Sequence, residues 1–204
     1  MPPSACILAC SPRVNGNTDR AAECLAQSFQ DGTPQIVRLA DLWISPCISC
    51  GRCLDCPGMC PLSSANALPR QKKCPSSLSG ADQALDILQA FSASGAPCFI
   101  SPIYFYHLPA QAKALIDRCQ AFWAMPTKDK PGQGRKMGII LLGARPKGAE
   151  LFAGAMLTLR YAALCLGLRL AEPLLLYGLE NTGDLAARPD LLAEISAYGQ
   201  RLRP

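Results

Sequence analysis

The sequence predicts an α/β fold with a parallel sheet covered by helices on both faces, and three observations carry that prediction. Five short apolar runs alternate with five stretches of helical periodicity. The runs are apolar throughout rather than at every second residue. The unusual loops all follow the carboxyl ends of the runs. Strands buried on both faces read this way, alternation with helices calls for parallel crossovers, and ligands of such sheets sit beyond the strand carboxyl ends.

Residues 5–9 form the first run, followed by the polar loop Ser11-Pro12-Arg13-Val14-Asn15-Gly16-Asn17-Thr18. A helical pattern then runs to residue 30, with Ala22, Leu25, Ala26 and Phe29 on one face. Residues 34–39 read as the second strand. Between 41 and 80 the chain turns to Cys, Pro and Ser with no sustained period, and a loop of that length inside a compact domain marks function. Residues 81–91 suit a helix through Ala84, Leu85, Ile87, Leu88 and Phe91, and 96–101 a buried strand. An aromatic loop bounded by Pro102 and Pro109 leads into a helix begun by Pro109 and ending near residue 123. On it Lys113 and Asp117 form an i,i+4 pair, and with Arg118 they make a charged helix face. Residues 136–142 are the fourth strand, with 143–148 as its exit loop. A helix over 150–166, a strand around 170–176 and a helix over 188–202 complete the chain.

At 204 residues the chain matches one domain of ordinary size, spanning 1–204. Half of its residues are hydrophobic and 17% are charged, which excludes disorder over most of the length. The net charge of +5 is dispersed, which excludes a nucleic-acid footprint but leaves room for small anionic ligands. The longest apolar stretch, 151–170, is interrupted by Arg160 and Arg169, so no membrane span is expected. The amino terminus has no basic region ahead of its apolar run. These features point to the cytoplasm, where clustered cysteines serve as metal or redox ligands rather than structural bridges.

The loop 11–18 is neither GxGxxG nor a P-loop. It offers hydroxyls and amides (Ser11, Asn15, Asn17, Thr18), one cation (Arg13) and a helix amino end, which together suit a terminal phosphate. The plainer alternative is that Asn17 or Thr18 caps the helix. Cys47-x2-Cys50-x2-Cys53 places three thiols within seven residues, the spacing with which one short loop folds around a cubane cluster. Zinc knuckles are set farther apart, so zinc is an awkward alternative, and a disulfide-tied insertion is another. Cys6, Cys98, Cys119 and Cys165 sit in apolar patterns and read as small hydrophobes, as do Cys24 and Cys10. His107, the only histidine, adjoins the aromatic loop as a ligand donor or a surface residue. One histidine leaves no basis for a hydrolytic triad.

Cys10-Ser11-Pro12-Arg13-Val14-Asn15-Gly16-Asn17-Thr18, Ser101-Pro102-Ile103-Tyr104-Phe105 with the later Lys113 and Leu115-Ile116-Asp117-Arg118, and the cysteine loop between them resemble the NADPH-dependent FMN reductase-like, flavodoxin-fold family. The cysteine loop resembles that of its iron–sulfur flavoprotein branch. The resemblance covers about residues 5–125 and implies a flavodoxin-like three-layer sandwich. Its five-stranded parallel sheet would have the order 2-1-3-4-5, with a Cys-rich, cluster-binding insertion at about 41–80. It further implies that Ser11, Arg13, Asn15, Asn17 and Thr18 hold the phosphate of FMN. Pro102, Ile103, Tyr104 and Phe105 would line its ring, and Gly143 to Arg145 would form the third side. A [4Fe–4S] cluster would be held by Cys47, Cys50, Cys53 and Cys60, with Cys74 and Cys56 as alternatives for the fourth ligand.

The function implied is an oxidoreductase passing electrons between the cluster and FMN to a small or protein acceptor. A ferredoxin-like protein or NAD(P)H would be the donor, within a homodimer or homotetramer. Two alternatives stay open. One is an NAD(P)H-dependent FMN or quinone reductase whose cysteine loop is zinc-bound or metal-free, and the other is a noncatalytic electron carrier.

Overall fold

The computed structural model describes residues 3–29, 32–63 and 82–202. In chain order the elements are β1 (Ala5–Ala9), α1 (Asn17–Gln27), β2 (Gln35–Arg38), α2 (Arg52–Asp55), α3 (Ala84–Ala93), β3 (Ala96–Pro102), α4 (Ala110–Asp117), α5 (Gln120–Trp123), β4 (Lys136–Leu142), α6 (Ala153–Leu166), β5 (Arg169–Leu170), β6 (Leu174–Leu176) and α7 (Pro189–Leu202). The sheet runs β2-β1-β3-β4-β5, with β6 also paired to β4, and all of these pairs are parallel. This is the expected 2-1-3-4-5 order.

Successive residues of the central strands enter opposite cores, as the two-residue period of a strand requires. Cys6, Leu8, Phe99, Ile139 and Leu141 pack with α3, α4, α5 and α6 through Leu88, Phe91, Leu115, Phe122 and Leu159. Ala5, Ile7, Ala9, Cys98, Ile100, Ile140 and Leu142 pack with α1 and α7 through Ala21, Leu25, Ile195 and Tyr198. Cys6, Cys10, Cys98, Cys119 and Cys165 are buried in these layers. Burial pushes the Cys6 thiol up to about 11 and raises Cys10, Cys98 and Cys119 as well, so these thiols stay protonated and act as small hydrophobes.

Three local differences from the sequence reading have physical causes. The helix expected from Pro109 to about 123 is broken between Asp117 and Gln120. There the N–H groups of Arg118 and Cys119 donate three residues back, to Leu115 and Ile116, instead of four. The expected strand near 170–176 is in two pieces, interrupted at 171–173, where Pro173 has no N–H to give a ladder. The interruption leaves the Ile139 N–H of β4 without a strand partner, and it donates instead to the Tyr198 hydroxyl of α7 at 2.9 Å. The second strand stops at Arg38 and turns into a short 3-10 segment, Leu39–Asp41. Residue 81, the expected start of the second helix, lies outside the described residues, and that helix, α3, begins at Ala84. No helix among the described residues is long and apolar enough to cross a membrane.

Helices α1 and α7 meet at Gly199, where a Cβ would run into the Ser28 hydroxyl and stand 2.9 Å from Leu25 Cδ1. Gly199→Ala is expected to destabilise the fold by about 1–3 kcal/mol in urea unfolding, the usual penalty for overpacking. Tyr198→Phe is expected to cost about 1–3 kcal/mol, since it strands the buried Ile139 N–H.

Candidate functional site

The loop leaving β1 is anchored at both ends. The Cys10 N–H donates to the Ile100 carbonyl of β3 at 2.9 Å, and the Arg13 N–H to the Ser11 hydroxyl at 3.1 Å. Asn15 takes a left-handed conformation (φ 58°) and donates its N–H to the Asp19 carboxylate at 2.6 Å. Asp19, buried in the first turn of α1, also pairs with Arg38 at the end of β2 at 3.0 Å. Gly16 is the N-cap, and no side chain caps the helix. The first N–H groups of α1 therefore have no capping side chain among the described residues and carry the positive end of the helix dipole.

Asn17 and Thr18, the caps that the plainer alternative would use, do other things. The Asn17 amide donates to the Asn181 carbonyl at 2.9 Å and its oxygen accepts the Leu185 N–H at 3.1 Å, tying the 181–185 loop to the start of α1. Thr18 is buried. Opposite stands the segment leaving β3, where the Ile103 N–H continues the ladder to the Leu142 carbonyl at 2.9 Å.

Between these elements lies a cleft lined by Ser11, Arg13, Gly16, Asn17, Thr18, Pro102, Ile103, Tyr104, Leu142, Ala144, Leu179, Glu180, Asn181 and Thr182. Two runs far apart in sequence, 11–18 and 102–104, thus share one wall system. Its cavity, about 80 Å³, is large enough for a phosphate-sized group.

Three of the expected residues stand elsewhere. Asn15 shapes the loop from outside the cleft. Gly143 supports its floor, donating to the Leu176 carbonyl at 2.8 Å and accepting from the Leu179 N–H at 3.0 Å, and it leaves no room for a Cβ beside Leu151. Phe105 sits at a hairpin tip, 99% exposed. Tyr104 and His107 pair backbone to backbone across the left-handed Phe105 and Tyr106 (φ 49° and 61°). Such a turn ordinarily carries Asn-Gly, and non-glycine residues held there cost roughly 1–3 kcal/mol each. The hairpin is held by His107 Nε2 against the Thr158 hydroxyl (3.1 Å), by close approach to Gly154, and by the Arg145 guanidinium over the Tyr106 ring (5.3 Å). His107 is thereby a bracing residue of the loop. The 179–182 segment escaped the sequence reading because it carries no charge run or motif. Its position after the last strand is the one signal that could have found it.

The cysteine loop forms a second feature. A left-handed Ser49 and Gly51 (φ 53° and 74°) turn the chain around the CxxCxxC run, and α2 carries Cys53. Cys47, Cys50, Cys53 and Cys60 line one cavity of about 440 Å³ together with Asp117, Arg118 and Trp123, and Cys56 is absent from that wall. Burial raises the Cys53 thiol, and the neighbouring Cys47, Cys50 and Cys60 raise it further against its own backbone hydrogen bond. Among the described residues no three of Cys, His, Asp and Glu stand close enough to hold a single metal ion. The four thiols surround a space rather than converge on a point. Cys74 lies outside the described residues.

Arg118 departs from the expected charged helix face. Lys113 and Asp117 do pair on the surface, but Arg118 is 2% exposed and its ion pair is with Asp82, at 2.8 Å. It lies three residues beyond the buried Leu115, on the inward stripe of α4.

A parallel 2-1-3-4-5 sheet with helices on both faces and a cleft beyond its carboxyl edge defines a flavodoxin-like α/β fold. The chain belongs to the NADPH-dependent FMN reductase family, whose model matches residues 3–164, and it is an oxidoreductase. No curated protein sequence matches it.

Solved structures of the same fold include an NAD(P)H:quinone oxidoreductase from Methanothermobacter marburgensis, with a TM-score of 0.63 and 14% identity over 97% of this chain and 94% of that one. An FMN-dependent NADH-azoreductase from Bacillus anthracis str. Ames Ancestor has a TM-score of 0.64 and 14% identity over 97% and 98%. A flavone reductase has a TM-score of 0.65 and 10% identity, and the chain, covered over 97%, spans 61% of that protein's length.

Asn17→Ala removes both ties to the 181–185 loop while leaving the helix amino end open. Faster amide hydrogen exchange over 181–185, with FMN affinity lowered several-fold, is the expected outcome.

Proposed function

We propose that this protein is an FMN-dependent reductase that takes a hydride equivalent from NAD(P)H and passes electrons to a small organic acceptor. The observation that carries the reading is the joining of the uncapped α1 amino end and the Pro102–Tyr104 wall in one cleft. The α1 N–H groups, the Ser11 hydroxyl and Arg13 would hold the FMN phosphate, with Thr18 in the same wall. The Asn15 N–H bond to Asp19 keeps the loop in shape. Pro102, Ile103 and Tyr104 offer an apolar surface for the ring, the N–H groups of Ile103 and Tyr104 being already spent on the Leu142 and His107 carbonyls, and Ala144 closes the third side above Gly143. Phe105, fully exposed at the hairpin tip, is placed to meet whatever stacks above the ring.

Bound FMN supplies a ring that accepts two electrons together and releases them together or singly. The chain's part is to bind, orient and exclude water, and no side-chain base is needed. We read residues 1–204 as one such domain, with 41–80 as its cysteine insertion.

A second reading rests on the cysteine cavity. Four thiols around 440 Å³ suit a cluster in which each thiolate binds its own iron better than a single zinc, whose sulfur ligands all lie about 2.3 Å from one centre. In that reading a [4Fe–4S] centre on Cys47, Cys50, Cys53 and Cys60 exchanges electrons with FMN, and a ferredoxin-like protein can be the donor.

Rapid anaerobic mixing of the FMN-loaded protein with NADPH or NADH separates the two. Bleaching of the flavin band within seconds, reversed by a quinone or azo compound, is the expected result. Bleaching by a reduced ferredoxin but by neither nucleotide would reject the first reading in favour of the second. Iron and acid-labile sulfide near ~4 of each per FMN would establish the cluster.

A further inference from the structure

We propose that Arg145, stacked on the Tyr106 ring, is the receptor for a phosphate of the nicotinamide nucleotide donor. The proposal rests on the reductase reading above and names the residue that holds its donor. Arg145 follows Ala144, which lines the cleft, and Tyr106 stands on the hairpin that begins at Tyr104, another residue of the cleft wall. The stacked pair is therefore attached to the Pro102–Tyr104 wall, which would carry the flavin ring, rather than to the 11–18 loop, which would carry its phosphate.

The guanidinium is held in place but not spent. The Arg145 carbonyl accepts the Gly178 N–H at 3.0 Å, which fixes its backbone. Its guanidinium carbon lies 5.3 Å from the centre of the Tyr106 ring, and Tyr106 is itself fixed in a left-handed conformation (φ 61°) by the pairing of Tyr104 with His107. A guanidinium stacked by its face keeps its N–H edge free for a bidentate acceptor. Among the described residues no carboxylate pairs with Arg145, nor with Lys147 two residues further on, and both are exposed.

FMN carries one phosphate, and Arg13 with the open end of α1 already lies in the cleft to meet it. A second fixed cation beside the ring wall calls for an anion from another molecule. NADH and NADPH share a pyrophosphate, and NADPH adds a 2′-phosphate. Either must lay its nicotinamide against the ring to deliver hydride, which brings its phosphates to the rim. A neutral quinone makes no use of a cation there.

FMN-loaded wild type, Arg145→Ala and Arg145→Lys are mixed anaerobically with NADPH and with NADH over a range of concentrations. Bleaching of the flavin band gives a limiting rate and a half-saturating concentration for each nucleotide. FMN affinity, the FMN midpoint, and turnover with a neutral quinone and with a sulfonated azo dye are measured on the same proteins. Arg145 is exposed, so neither variant removes core packing.

For Arg145→Ala the expected result is a half-saturating concentration of nucleotide raised roughly tenfold, as the loss of charge-assisted hydrogen bonds implies, while the limiting rate and the FMN midpoint hold. Arg145→Lys recovers part of the loss, because it keeps the charge but not the fork. A rise for NADPH alone assigns the 2′-phosphate to Arg145, a rise for both nucleotides assigns the shared pyrophosphate, and either supports the proposal. An unchanged half-saturating concentration, or a change confined to FMN or to the azo dye, would overturn the proposal and leave the reductase reading in place. FMN-loaded wild type bleached by neither nucleotide would overturn that reading and the proposal together.

Discussion

The buried Asp19 carboxylate is the interaction on which the cleft depends. It lies in the first turn of α1, accepts the Asn15 N–H and pairs with Arg38 of β2, so one side chain fixes the loop, the helix and the neighbouring strand relative to one another. Without it the left-handed Asn15 has no reason to persist and the chain would be free to cap the helix locally. A carboxylate here satisfies the loop from behind and leaves the front of the helix end open. The electrostatics agree, because a buried anion within the first turn is favoured by the helix dipole and neutralised by Arg38.

The same economy of parts recurs at the other loops beyond the carboxyl edge of the sheet. Asn17 begins α1 and also ties down the segment after β6, so the two walls of the cleft are not independent. The strained Phe105–Tyr106 tip is held by three contacts from the β4 exit loop and α6, namely Arg145, Gly154 and Thr158. Strain of that kind persists only where surrounding structure over-determines it, and here it presents an aromatic side chain to solvent beside the cleft. At the cysteine loop, Arg118 connects the wall of the cavity to Asp82 and Ser45 by hydrogen bonds.

Much of this architecture was legible in the sequence. Residues 5–9 and 136–142 form strands with the expected bounds because a run buried on both faces has no other reading once flanked by turn residues. The cleft was legible for a similar reason: 11–18 and 102–104 follow the carboxyl ends of adjacent strands, β1 and β3, and the topology brings those ends together. Tertiary compensations were less visible. Nothing local to Pro173 says that a tyrosine 25 positions later will complete the ladder it interrupts. Helical periodicity sets Arg118 three residues past the buried Leu115, on the stripe of Ala112 and Leu115 and away from Lys113 and Asp117, but nothing local to it names Asp82 as the partner that lets a cation sit there. Asn15, Phe105 and Gly143 share the motifs of the cleft residues, but the motif alone does not say which of its members line the cleft and which, as these three, stand outside its lining.

The open end of α1 is suited to the phosphate of a flavin. Titrating apoprotein with FMN and with riboflavin, followed by quenching of flavin fluorescence, tests it most directly because the two ligands differ only in that phosphate. FMN is expected to bind tighter by a factor on the order of 100, equivalent to about 2.7 kcal/mol, with an advantage that shrinks as salt is raised. Equal affinity for the two ligands would contradict it.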